Sequence, residues 1–158
     1  MTSTGRVLLV DDEEKILKTL GRALRDEGHD VTTASRALDG QRLLAEQAFD
    51  LLVIDCRMPD RSGMDVVKEL VATTPESERP AIVMMTAHGS VESAVEAMKL
   101  GAFDFLRKEA LPFNLKPVVN AALEQLSETR SATAFKRQLT VDQHQDSIVG
   151  RSEAMQQV

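Results

Sequence analysis

Acidic, hydroxyl and basic side chains follow four of the five short apolar segments of this sequence, at the point where each segment ends. Asp11 and Asp12 follow the first segment, Asp55 the third, Thr86 the fourth, and Lys108 comes just after the fifth. Carboxylate oxygens are the ligands that Mg²⁺ selects, and a bound metal would allow a phosphoryl dianion to approach three carboxylates. The hydroxyl and the ammonium group would bind the remaining phosphoryl oxygens. The set suits phosphoryl transfer to an aspartate, which gives an acyl phosphate.

These groups can act together only if the preceding elements bring them to one place. Five apolar segments alternate with five segments of helical periodicity, which predicts βαβ units and a parallel sheet. The predicted strands are 6–10, 31–34, 51–54, 81–85 and 102–106. Right-handed crossovers would place the carboxyl ends of all these strands at one edge of the sheet. The spacing alone does not choose among Asp11, Asp12 and Asp55 as the phosphoryl acceptor.

Short polar residues beside the helical segments predict helix caps. Ser35 is expected to cap the second helix, whose Leu38 is expected to point inward with two later leucines. Gly40 is expected to weaken that helix. Ser90 is expected to cap the fourth helix.

The composition excludes several classes of function. The 158 residues suffice for one domain and a tail, and 42% are hydrophobic, so a proper core is expected. A net charge of −6 gives no sign of nucleic-acid binding by this part of the chain. One cysteine excludes an internal disulfide and fits a reducing compartment, and no segment suggests a signal peptide or a membrane span. The sequence predicts a cytoplasmic protein without membrane contact.

Four motifs, in this order, resemble those of a response regulator receiver domain. They are Asp11-Asp12, Asp55-x-x-Met58-Pro59 with Gly63 beyond it, Thr86-Ala87, and Lys108. The resemblance covers about residues 5–126. It implies an α/β, flavodoxin-like (CheY-like) fold: a doubly wound parallel sheet of five strands in the order 2-1-3-4-5, with five helices.

The resemblance also implies a role for each site residue. Asp55 would accept a phosphoryl group from a partner sensor histidine kinase, with Thr86 and Lys108 completing the catalytic set. The implied cofactor is Mg²⁺, held by Asp11, Asp12, Asp55 and the backbone carbonyl of Arg57. The domain would be regulatory and would catalyse only its own phosphorylation and dephosphorylation.

Phosphorylation would switch the domain by adding charge and acceptor oxygens. In the family, the hydroxyl at Thr86 moves toward the phosphoryl group and the aromatic side chain at Phe105 turns inward behind it. Phe105 has no hydroxyl, so a ring held only by packing is the alternative for this residue. The chain departs from the family at Glu109, where proline is usual, so the Lys108-Glu109 bond is expected to be trans.

The end of the sequence is similar to the opening of the AAA+ domain in NtrC-like, sigma-54-dependent transcription activators. We therefore expect a receiver domain over 1–126, a partly helical linker over 127–146, and the first residues of a truncated AAA+ domain over 147–158. No phosphate-binding loop motif is present. Contacts with sigma-54 RNA polymerase and DNA would belong to further domains.

Homodimerisation is expected through a partial heptad seam on the last helix. The seam residues are Leu115, Val119, Ala122, Leu126, Thr129 and Thr133. Two alternatives to the activator remain. One is a stand-alone receiver that signals by protein contact alone. The other is an aspartyl-phosphate phosphohydrolase, which would need a general acid-base where Arg57 stands.

Overall fold

A computed structural model describes residues 4–87 and 89–130 of the chain. Five parallel strands form one sheet in the order β2-β1-β3-β4-β5. The strands are β1 (Arg6–Val10), β2 (Asp30–Ala34), β3 (Leu51–Asp55), β4 (Ala81–Thr86) and β5 (Asp104–Arg107). The predicted fold class and strand order are confirmed.

Helices connect the strands and cover both faces of the sheet. They are α1 (Glu14–Asp26), α2 (Ala37–Glu46), α3 (Gly63–Thr73) and α4 (Val91–Lys99), followed by the helical residues 115–130; short 3₁₀ helices span Glu76–Glu78 and Lys108–Ala110. The described residues up to 126 belong to one compact unit, and residues 127–130 are assigned to a second. The linker and AAA+ segments predicted beyond 130 lie outside the described residues.

The strand alternation divides the core into two apolar layers. One layer includes Leu8, Ile54 and Met84 and packs beneath α2, α3 and α4. The opposite layer includes Leu9 and Val53 and packs beneath α1 and the last helix. Both faces of β3 are therefore covered, which explains its uninterrupted apolar run.

The predicted dimer seam is wrong for its first three residues. Leu115, Val119 and Ala122 are buried in the core of their own unit, against the sheet. Apolar residues three and four positions apart occur both in a helix on a sheet and in a coiled-coil helix, so the pattern did not distinguish them. Thr133, the last seam residue, lies outside the described residues.

Helix α2 also differs from its prediction. Leu38 is 48% exposed, whereas Ala37 and Gly40 are buried. A Cβ built on Gly40 would lie 2.8 Å from a methyl group of Val10, so the glycine allows α2 to approach β1 closely. Gly40 is therefore required for this packing, although glycine lowers the helix propensity of α2.

The cap of α2 does not come from Ser35. The carboxylate of Asp60, in the loop after β3, accepts hydrogen bonds from the backbone N–H groups of Ala37 (3.0 Å) and Leu38 (2.9 Å). Ser90 caps α4 as predicted, since its hydroxyl accepts the Ser93 N–H at 3.0 Å.

The fifth strand begins two residues later than predicted. The N–H of Ala102 donates to the carbonyl of Ala97 and so completes the end of α4, with Gly101 at a φ of 103°.

Among the described residues, no helix is both long enough and apolar enough to cross a bilayer.

Candidate functional site

Three carboxylates converge at the carboxyl edge of the sheet. Asp11 directly follows β1 and Asp55 is the last residue of β3, and these two strands are neighbours. Ligand oxygens of Asp11, Asp12 and Asp55 all lie within 4.8 Å of one another. Asp11 and Asp55 are buried and Asp12 is exposed, so the cluster is open to solvent on the side of Asp12.

Lys108 joins this cluster from the end of β5, the outermost strand on the side of β4. It follows β5 at the start of a 3₁₀ helix, and its side chain is only 9% exposed. Its Nζ lies 2.9 Å from Oδ2 of Asp55, 2.8 Å from Oδ2 of Asp11, and 2.8 Å from Oε1 of Glu13. One ammonium group thus neutralises part of the charge of three carboxylates.

Asp11 retains an acceptor that the protein does not satisfy. Its Oδ1 accepts the backbone N–H of Glu13 at 2.8 Å. Its Oδ2 is buried and accepts no hydrogen bond of good geometry, so the 2.8 Å contact with Lys108 is an ion pair only. Such an orphaned oxygen beside two further carboxylates fits a Mg²⁺ site.

Burial dominates the acid–base properties of the site. Burial raises the pKa of Asp11 and of Asp55 above the ordinary aspartate value, although the contacts of both carboxylates with the Lys108 ammonium group oppose this. Burial alone would lower the pKa of Lys108, but its contacts with the carboxylates of Asp11, Glu13 and Asp55 raise it. The lysine therefore stays charged. A further cation would stabilise the ionised form of the two carboxyl groups.

The loop after β3 holds Asp55 in place. The N–H of Arg57 donates to Oδ1 of Asp55 at 3.2 Å, and the N–H of Gly63 donates to the carbonyl of Cys56 at 2.9 Å. A Cβ built on Gly63 would lie 1.9 Å from the carbonyl oxygen of Asp55. The start of α3 therefore packs directly on the Asp55 backbone, which only glycine permits.

Cys56 takes no part in this chemistry. The thiol is buried, and burial together with the Asp55 charge raises its pKa to about 12. A thiol with such a pKa stays protonated at neutral pH and packs as a small apolar group.

Thr86 and Phe105 lie on the two strands beyond β3. Thr86 is the buried last residue of β4, one position beyond Met85, which pairs with Asp55. A Cβ built on Gly89 would lie 3.0 Å from the methyl of Thr86 and 3.3 Å from the ring of Phe105, so both side chains face that glycine. Phe105 is half-buried.

The predicted site residues thus divide into two groups. The structure brings one group into contact or close approach: Asp11, Asp12, Asp55 and Lys108. The second group, Arg57 and Thr86, lies at the same edge of the sheet. The carbonyl role predicted for Arg57 and the switch role predicted for Phe105 stay predictions. Within the described residues, the cis peptide bond is Leu111-Pro112, so Lys108-Glu109 is trans, as expected.

The sequence prediction missed Glu13 as a partner of Lys108. Glu13 stands in the acidic run 11–14, of which only Asp11 and Asp12 had a predicted role. The run itself was the available signal. It could not show which acid reaches a lysine 95 residues away.

Comparison with known proteins agrees with the geometry. Residues 7–120 match the response regulator receiver domain family. The chain is 40% identical over 153 residues to the alginate biosynthesis transcriptional regulatory protein AlgB of Pseudomonas aeruginosa, covering 96% of this chain and 32% of AlgB. It is 31% identical over 156 residues to the DNA-binding transcriptional regulator NtrC of Azospirillum brasilense, covering 99% of this chain and 31% of NtrC.

The fold is also that of a solved receiver domain. The solution structure of the beryllofluoride-activated NtrC4 receiver domain dimer has a TM-score of 0.67 and 34% identity, over 77% of this chain and 98% of that one. The chain spans about a third of the length of the curated relatives it matches. Because the family match covers most of the sequence and its motif residues converge at one sheet edge, the chain belongs to the response regulator receiver domain family.

Proposed function

We propose that Asp55 accepts a phosphoryl group from the phosphohistidine of a sensor histidine kinase, in a reaction that requires Mg²⁺. The observation that carries this proposal is the contact of Lys108 Nζ with Asp55 inside a cluster of three carboxylates. A buried ammonium group at this position can bind an incoming phosphoryl oxygen. Asp55 is chosen over Asp11 and Asp12 because it occupies the acceptor position of the family motif.

The transfer breaks one bond and forms one. An oxygen of the Asp55 carboxylate attacks phosphorus while the P–N bond to the kinase histidine breaks. The imidazole leaves with the electron pair of that bond, and because its other ring nitrogen carries a proton, it departs as neutral imidazole. Asp11, Asp12, Asp55 and the Arg57 carbonyl would hold Mg²⁺, which would neutralise the charge that develops on the phosphoryl oxygens. Lys108 and Thr86 would bind phosphoryl oxygens on the other side.

A small-molecule phosphodonor tests the acceptor directly. Incubation with phosphoramidate and Mg²⁺ should add one phosphoryl group, detected by intact mass, and EDTA should prevent it. Asp55→Asn should abolish the addition, whereas the exposed Asp65→Asn, in the first turn of α3, should not. Equal phosphorylation of Asp55→Asn would contradict the assignment.

We further propose that this receiver controls a sigma-54-dependent transcription activator in the cytoplasm. The relatives named above are transcriptional regulators about three times as long as this chain, and residues 147–158 are similar to the start of an AAA+ domain. The gene beyond the codon for Val158 should then encode an ATPase and a DNA-binding domain. A stop codon there would favour a stand-alone receiver.

We also propose that the protein forms a homodimer. The solved NtrC4 relative is a dimer, and α4 exposes Val91, Val95 and Met98, which offers an apolar surface. Light scattering should show a larger mass with beryllofluoride and Mg²⁺ than without them. Val95→Glu should prevent this increase, and a monomer under all conditions would contradict the dimer.

A further inference from the structure

Three carboxylates surround Lys108 Nζ, and they differ in their exposure. Asp11 and Asp55 are buried, whereas the side chain of Glu13 is 54% exposed. The ammonium group thus lies between two buried acids and one that faces solvent. A phosphodonor must approach from the solvent side.

The backbone of Glu13 is fixed on both sides of its Cα. Its N–H donates to Oδ1 of Asp11 at 2.8 Å, and its carbonyl accepts the N–H of Leu17 at 3.1 Å, in the first turn of α1. Glu13 therefore orients Asp11 through its backbone and contacts Lys108 through its side chain. The remaining freedom of Glu13 is that of its own rotamers.

We infer that Glu13 is a positioning residue that holds Lys108 Nζ at the open side of the site; this inference rests on the proposed phosphorylation of Asp55. Without the Glu13 charge, the ammonium group would be shared by Asp11 and Asp55 alone. It would move toward these buried oxygens and compete with Mg²⁺ for them. With Glu13, it stays where a phosphoryl oxygen arrives.

The test compares Glu13→Gln with Glu14→Gln. The control residue is the next acid of the run, and its 79% exposed side chain pairs only with Lys18 among the described residues. Glu13→Gln should lower the phosphorylation rate constant with phosphoramidate and saturating Mg²⁺ roughly tenfold, because the lysine is misplaced. Glu14→Gln should change that rate constant by less than about twofold.

A double-mutant cycle with Lys108→Ala separates positioning from a general charge effect. If Glu13 acts through Lys108, Glu13→Gln should change the rate of the Lys108→Ala variant by less than about twofold. An equal loss in both backgrounds would overturn the inference.

A readout without phosphorylation completes the test. In ¹⁵N NMR spectra, the Lys108 ammonium protons should exchange with water more slowly in Glu13→Gln than in Glu14→Gln or the parent, because Nζ would lie closer to the buried oxygens of Asp11 and Asp55. Faster exchange would contradict the inference. Unchanged exchange would overturn the inference. A parent protein that no phosphodonor modifies would overturn the proposed function instead, and the exchange rates would still decide whether Glu13 holds Lys108.

Discussion

Lys108 and Asp55 are 53 residues apart in the sequence, and Nζ of the lysine lies 2.9 Å from Oδ2 of the aspartate. The pair bridges the ends of β3 and β5, which lie on either side of β4. Both side chains are less than a tenth exposed. Because buried charges are costly without a partner, this contact compensates the charge of the buried Asp55 carboxylate in the folded protein.

Lys108→Ala should destabilise the protein and increase its response to Mg²⁺. Without the ammonium group, the buried carboxylates of Asp11 and Asp55 lose their cation, so the free energy of unfolding in EDTA should fall by about 3 kcal/mol. Mg²⁺ should stabilise both proteins because it binds only the folded cluster. The effect should be larger in this variant, since the ion no longer shares the carboxylates with the ammonium group. Urea unfolding followed by circular dichroism, with and without Mg²⁺, measures both effects.

Lys116→Ala is the matched control. Lys116 pairs with Glu27 at 3.3 Å on the surface, with 60% of its side chain exposed. Its removal should change stability by less than about 0.5 kcal/mol and leave the Mg²⁺ response unaltered. Equal Mg²⁺ stabilisation of Lys108→Ala and the parent would show that the lysine and the ion do not share ligands.

Gly63→Ala should displace the backbone of Asp55. The new Cβ would lie 1.9 Å from the Asp55 carbonyl oxygen, and no side-chain rotation can relieve an overlap with backbone. We expect a loss of about 3 kcal/mol in the free energy of unfolding and slower phosphorylation of Asp55. Urea unfolding and the mass-based phosphorylation assay measure the two effects.

Gly21→Ala tests whether the effect is specific to this contact. Gly21 lies in the interior of α1, and its nearest neighbour would be a terminal nitrogen of Arg25 at 3.5 Å. Alanine should therefore stabilise α1 by about 0.5 to 1 kcal/mol. A Gly63→Ala protein as stable as Gly21→Ala would refute the close approach of α3 to Asp55.

The sheet and its functional edge were predictable from the sequence because both follow from short-range patterns. The uninterrupted apolar run 51–54 indicated a strand covered on both faces, and the alternation with helices indicated parallel strands. Once the strands are parallel, Asp11, Asp55 and Lys108 must lie at the same edge of the sheet. The choice of Asp55 as acceptor came from family resemblance and not from spacing.

Contacts between side chains of distant segments were not predictable in the same way. The contacts of Lys108 with Glu13, and of Asp60 with the start of α2, depend on loop conformations that local patterns do not encode. Leu38 was expected inside because helical periodicity does not show how closely α2 approaches the sheet. Gly40 decides that approach, through its contact with Val10.

Asp60→Ala should destabilise α2 although Asp60 lies outside that helix. Its carboxylate caps the N–H groups of Ala37 and Leu38, so its loss should lower the free energy of unfolding by about 1 kcal/mol. Asp60→Asn, which keeps one acceptor oxygen, should give an intermediate value. Urea unfolding at neutral pH measures the series, and equal stability of all three proteins would contradict the cap.

The pH dependence of the Asp60 cap has a definite sign. The bond from the Leu38 N–H, followed by that from Ala37, holds the pKa of Asp60 below its ordinary value of 3.8. The folded carboxylate therefore contributes stability above pH 3.8 and loses it as the pH falls through the lower folded-state pKa. The stability difference between the parent and Asp60→Ala should narrow in that acidic range.

His29 should make the stability of the parent protein pH-dependent near neutrality. It is buried at 6% exposure, and its Nδ1 accepts the backbone N–H of Gly5 at 3.2 Å. Burial lowers its pKa below the ordinary 6.5, and the charge of Glu27 offsets only part of this shift. The unfolded chain therefore binds a proton at a higher pH than the folded protein does.

The sign of the His29 effect follows from this difference. The contribution of His29 to the free energy of unfolding should be fully present above pH 6.5. It should decrease as the pH falls from there toward the folded-state pKa. In His29→Gln, the titratable group is absent, so the decrease should be smaller although the stability at high pH is lower. Urea unfolding of both proteins at several pH values isolates His29, because every other titratable residue is common to them. Equal slopes in the two proteins would show that His29 is protonated as readily in the folded state as in the unfolded chain.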